Sequence, residues 1–109
     1  MKIITLHTRI DPAELLNHIR QNLDPMFKEQ RHTEMHFVVE GNGNTIKISQ
    51  PEIYGDDVLY NIEVKGRHLH ITRSEHYVDD VNSLTVESIL NYLFNGLSDK
   101  YGTDLLQEG

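Results

Sequence analysis

Apolar positions along this chain change their spacing twice, from helical to alternating and back. Lys2 to Thr8 is a short β-branched run and predicts a strand. Asp11-Pro12-Ala13-Glu14 then signals a helix start. Asp11 can cap, Pro12 fits the first helical position, and Glu14 can close a capping box. Leu15, Leu16, Ile19 and Leu23 form one apolar stripe. Asp24-Pro25 repeats the start signal. Because Pro25 lacks the amide hydrogen of an unbroken helix, a kink or a second short helix through Met26 and Phe27 is expected.

Two hairpins follow. A two-residue turn at Asn42-Gly43 pairs Val39 with Ile46 and Phe37 with Ile48, with Met35 on the same face. The opposite face then carries Glu34, His36, Val38 and Glu40, across from Thr45, Lys47 and Ser49. A second turn at Lys65-Gly66 pairs Ile62 with Leu69 and Tyr60 with Ile71. Behind these, Glu63 meets His68, Asn61 meets His70, and Leu59 lies near Thr72. In each hairpin one register sorts apolar from polar, and a one-residue slip would scramble both. For the last helix, Thr85 is the expected cap, with Leu84 and Ile89 as a hydrophobic staple. Val86, Ile89, Leu90, Leu93, Phe94, Leu97 and Tyr101 keep helical spacing, and Gly102 suits a left-handed cap. Residues 103–109 are expected to be a loosely ordered tail after a single domain over 1–102.

The sum is an α+β domain, β-α-β-β-β-β-α, with an antiparallel sheet and both helices packed on its apolar face. In layout this order resembles the half-repeat of TATA-binding-like and helix-grip folds, and a cystatin-like fold shares its first six elements. Such likeness of layout implies a fold and not a function.

Composition narrows the classes of function. The 109 residues carry a formal charge of −7 and contain neither cysteine nor tryptophan. Without cysteine there are no disulfides, thiolate nucleophiles or Cys-based zinc sites, and a cytoplasmic location is favoured. The apolar run at the N-terminus is too short for a signal-peptide core or a membrane span. Ten scattered basic residues against seventeen acidic ones disfavour nucleic acid and anionic membranes as partners. Acidity instead suits a basic protein surface, and seven histidines make the charge sensitive to mild acid.

Candidate chemistry concentrates on the polar sheet face: His36, Lys47, Ser49, Asn61, Glu63, His68 and His70. Two positions apart on a strand, His68 and His70 project to one side. Joined by His36 or Glu63 they could hold a divalent metal, although an ordinary polar face is the stronger expectation. His32-Thr33-Glu34-Met35-His36 lacks the spacing of a zinc-protease helix. Tyr54-Gly55-Asp56-Asp57 and Tyr77-Val78-Asp79-Asp80 resemble, over four residues each, the metal-binding turns of viral RNA polymerases and reverse transcriptases. Acidic loops that bound strands and start helices account for both equally well. No nucleophile elbow and no glycine-rich phosphate loop is found.

The expectation is a non-enzymatic interaction protein, without a cofactor, that binds an unknown protein partner through His36, Lys47, Asn61, Glu63, His68 and His70 or through edge strands. Edge strands also allow a homodimer. The alternative is a small-ligand or divalent-metal-binding domain using the sheet-face histidines.

Overall fold

The computed structural model describes residues 2–6, 9–77 and 79–94, together with the backbone of 95–101 and 103–108. The elements run β1 (Lys2–Leu6), α1 (Pro12–Arg31), β2 (Val38–Asn42), β3 (Thr45–Ser49), α2 (Pro51–Tyr54), β4 (Val58–Lys65), β5 (His68–Arg73), a 3-10 turn (Glu75–Tyr77), α3 (Val81–Tyr101) and β6 (Thr103–Glu108). The strands form one antiparallel sheet in the order β2-β3-β4-β5-β1-β6. The chain's first strand thus sits inside the sheet, between β5 and β6. Where the sequence predicts a loose tail after residue 102, the backbone of β6 pairs with β1 and meets hydrogen-bonding groups that β1 would otherwise leave bare. His7, Thr8 and the Gly102 cap, and the side chains of Leu97 and Tyr101, lie outside the described residues.

Asp11 caps α1 as expected, accepting from the Ala13 amide at 3.0 Å, with Pro12 in the first turn. The helix then continues as one element through Pro25 to Arg31, and the second short helix allowed for at Pro25 does not form. The reason is packing. The stripe of Leu15, Ile19 and Leu23 continues to Phe27, which is fully buried and meets Phe37 edge-on at 5.1 Å. A break at Pro25 would swing Phe27 out of that contact. Burial of one such side chain stabilises by about 1.5–3 kcal/mol, comparable to the roughly 3 kcal/mol that an interior proline costs. His32 ends the helix in the left-handed conformation (φ 55°), its amide donating to the Lys28 carbonyl.

Both hairpins keep the predicted faces and shift the predicted partners. The first turns at Gly43-Asn44, so Val39 pairs with Ile48 and Glu40 with Lys47. The second turns at Gly66-Arg67, so Ile62 pairs with Ile71, Glu63 with His70 and Asn61 with Thr72. Each ladder is displaced by two residues from the expected one. In both turns glycine occupies the first central position with positive φ, 61° at Gly43 and 59° at Gly66. No positive φ follows at Asn44 or Arg67, the pattern of a type II′ turn rather than type I′. A two-residue displacement preserves side-chain parity, so the apolar face survives.

Other expectations change locally. β2 starts at Val38, so Glu34 and His36 precede the strand, while Met35 and Phe37 remain buried. Leu59 is fully buried rather than on the polar face, because a bulge opposite Ser49 and Ile48 inserts it between Val58 and Tyr60. α3 begins at Val81, five residues before the predicted start, and Asp80 caps it instead of Thr85. The Asp80 carboxylate accepts from the Ser83 amide at 3.0 Å, while the Thr85 hydroxyl bonds back to the Val81 carbonyl.

The core lies between one sheet face and the two long helices. Ile4, Ile46, Ile48, Ile62 and Leu69 meet Leu15, Ile19 and Leu23 of α1 and Val86, Ile89 and Leu90 of α3. Helix α1 also shields the β2 edge. Counted from the turn-flanking pair Asn42–Thr45, Val39 falls in a non-hydrogen-bonded pair, so its carbonyl points away from β3. Arg20 Nε donates to that carbonyl at 2.8 Å. Close by, Leu16 Cδ2 lies 2.5 Å from where a β-carbon on Gly41 would be.

Candidate functional site

Side-chain alternation leaves the second sheet face bare of any described helix. Registered partners form rows across it. Glu40, Lys47, Asn61 and Thr72 make one row. Thr45, Glu63, His70 and Ile3 make the next. Lys65, His68 and Thr5 make a third. Glu40 and Glu63 balance Lys47 and Lys65, so with neutral histidines these rows carry no net charge among the described residues. The rows are locally knit: Lys65 Nζ lies 3.4 Å from Glu63, Thr5 Oγ1 is 3.1 Å from His68 Nδ1, and the His68 and His70 rings stand nearly perpendicular at 6.4 Å. Lys47, Asn61, Glu63, His68 and His70 therefore share the face that the sequence assigns to them.

His36 does not join them. It stands before β2, its imidazole 82% exposed and 3.5 Å from Asp24 of α1. Strands β3 and β4 separate β2 from β5, roughly 14 Å at ordinary strand spacing. The candidate ligand set of His36, His68, His70 and Glu63 is therefore split. Among the described residues no group of three or more histidines and carboxylates is gathered to hold a metal ion. His32 of the protease-like run is spent as the helix cap.

The two Tyr-x-Asp-Asp segments, which lie apart in sequence, interlock. The Tyr77 hydroxyl donates to Asp57 at 2.6 Å, and the Tyr54 hydroxyl donates to Asp80 at 2.5 Å. Each tyrosine thus bonds the last aspartate of the other segment. Their rings are tilted against each other at 4.7 Å, and Asn82 adds a bond to the Tyr54 hydroxyl. Asp80 also caps α3. Burial and the Asp80 carboxylate raise the ionisation of Tyr54 above its ordinary range, and the hydrogen bond to Asp57 does the same for Tyr77. Arrayed in this way, Asp57 and Asp80 join two loops. This is the role of acidic loops that start helices. Exposed Glu52, Asp56, Glu75 and Asp79 lie within two residues of the clasp's members in sequence, so acidic residues are concentrated in the two loops that it joins.

A second feature is absent from the sequence reading. Between α3 and the β1, β4 and β5 wall lies a cleft of about 100 Å³. Ile71, Leu90, Phe94 and the Tyr60 ring supply its apolar lining. Lys2, Arg73, Glu87 and Asn91 line its polar side. Lys2 Nζ donates to Asn91 Oδ1 at 2.9 Å and lies 4.0 Å from Glu87, whose other oxygen bonds the Arg73 guanidinium. Tyr60 is almost wholly buried and donates to the Ser83 carbonyl at 3.1 Å, and burial raises its ionisation above the ordinary range. These residues come from opposite ends of the chain, so only strand order brings them together.

Among the described residues no helix is long and apolar enough to cross a membrane. Neither a family model, nor a curated protein sequence, nor a solved structure matches this chain.

Proposed function

We propose that this chain is a small acidic interaction protein, a regulator, adaptor or immunity-type inhibitor, that binds another protein through its open sheet face. The observation that supports this reading is the face itself: polar, charge-balanced across its described rows and backed by a packed core. Lys47, Asn61, Glu63, His68 and His70 form the contact, and His36 is left out of it. A charge-balanced face neither attracts phosphate backbones nor repels a protein. Acidic residues in the clasp's two loops steer the encounter toward a basic partner surface. Arg20 and α1 occupy the β2 edge, which favours a face contact over strand addition and counts against a homodimer built on that edge. The working location is the cytoplasm, and no cofactor, nucleic acid or membrane takes part.

A photo-crosslinking residue at Asn61, compared with one at exposed Glu29 of α1, tests this reading. One discrete protein adduct from position 61, missing from position 29 and lost in Lys47→Glu, is the expected result. Adducts from both positions, or from neither, would defeat it.

A further inference from the structure

We infer that the cleft beneath α3 is a binding site for a small monocarboxylate with a short apolar body. Two observations converge on that chemistry. The cleft floor is apolar: Leu90 and Phe94 are each 2% exposed and Ile71 is 6% exposed. Among the described residues its mouth holds two cations, Lys2 and Arg73, and one carboxylate, Glu87. The ammonium and guanidinium together carry more N–H donors than Glu87 and Asn91 can accept. A tie between strands and helix needs one cation for one carboxylate, and the second leaves an unmatched positive charge. That positive charge lies in a chain of net charge −7.

Size narrows the class. An apolar cavity of about 150 Å³ accommodates benzene, so about 100 Å³ suits a body of roughly four carbons. The carboxylate of butyrate would sit between Lys2 and Arg73, with its chain along Ile71 and Leu90. Six non-hydrogen atoms contributing about 0.7 kcal/mol each, half the ceiling for tiny ligands, give a Kd on the order of 1 mM.

Backbone amide shifts of the full chain, titrated with butyrate, butylammonium and 1-butanol, test the assignment. Butyrate is expected to give saturable shifts at Ile71, Leu90 and Asn91, and the other two probes none. Arg73→Met is expected to weaken butyrate about tenfold, and Arg73→Lys to restore most of that loss. Glu87→Gln is expected to tighten it severalfold by removing a competing anion, whereas a purely structural ion pair predicts no gain. Lys28→Met, a charge loss on exposed α1, leaves binding unchanged. Absence of saturable shifts up to about 50 mM butyrate, fifty times the expected Kd, or equal shifts with butylammonium, overturns the inference.

Discussion

The two faces of one sheet are built from the same strands, residue by residue, and they obey different rules. On β4, Ile62 is fully buried while its neighbour Glu63 keeps 39% of its side chain exposed. The covered face is constrained by volume, because each of its side chains touches α1, α3 or another strand. Cross-strand pairs and water are the only constraints on the open face. A partner can therefore be accommodated there without disturbing the core, and substitutions on the two faces should differ widely in cost.

The largest expected effect is on the covered face. Phe27→Ala removes a fully buried ring and its edge contact with Phe37, and should cost about 3–5 kcal/mol in urea unfolding. Thr72→Ala on the open face should stay within about 0.5 kcal/mol. A loss above about 1.5 kcal/mol at Thr72 would break the contrast. Asp80→Ala comes next, at about 1–3 kcal/mol, since it removes both the α3 cap and the Tyr54 acceptor. Buried Ser83 sharpens the comparison from the other side. Among the described residues its hydroxyl has no hydrogen-bond partner, so Ser83→Ala should be neutral or stabilising by up to about 1 kcal/mol. A clear destabilisation would show that the hydroxyl is satisfied.

Titration gives the smaller effects. Ionisation of Tyr60 and Tyr54 is raised in the folded chain, so the stability they contribute is complete below pH 10.0 and is lost as pH rises beyond it. Tyr60→Phe should flatten that alkaline limb in a pH series of thermal unfolding. Glu34 moves the opposite way: hydrogen bonding to Lys28, followed by its charge, lowers the carboxyl below 4.5. Its contribution is present above pH 4.5 and fades as pH falls through the lowered value. Both partners are exposed, so Lys28→Gln should change the acid limb least of all.

Faces were legible in the sequence because alternation survives any slip by two. Partners were not, because Gly41-Asn42-Gly43-Asn44 offers two adjacent turns that both satisfy the pattern. Position along the chain could not decide between them. The glycine conformation of the turn does, and the same happens at Lys65-Gly66-Arg67. The start of α3 failed for a related reason, since Asp80 and Thr85 are both competent caps. Asp80 gains from a second bond to Tyr54, which only tertiary proximity supplies. The reading of Pro25 as a break weighed a local cost without the buried Phe27 beyond it. Neither the tyrosine clasp nor the cleft had any local signal. Tyr54 meets Asp80, and Lys2 meets Asn91, across stretches of chain whose arrangement depends on strand order.

The interior position of β1 also bears on the order in which the protein is made. Lys2 to Leu6 leave the ribosome before the rest of this fold, yet their neighbours in the sheet are β5 and β6, which come far later. Through most of synthesis this β-branched ribbon has both flanks open while α1 and the two hairpins can already assemble. Zippering of β1 is then the slow, long-range closing step of the fold, and the interval before it is when a nascent chain is most open to mispairing with its neighbours.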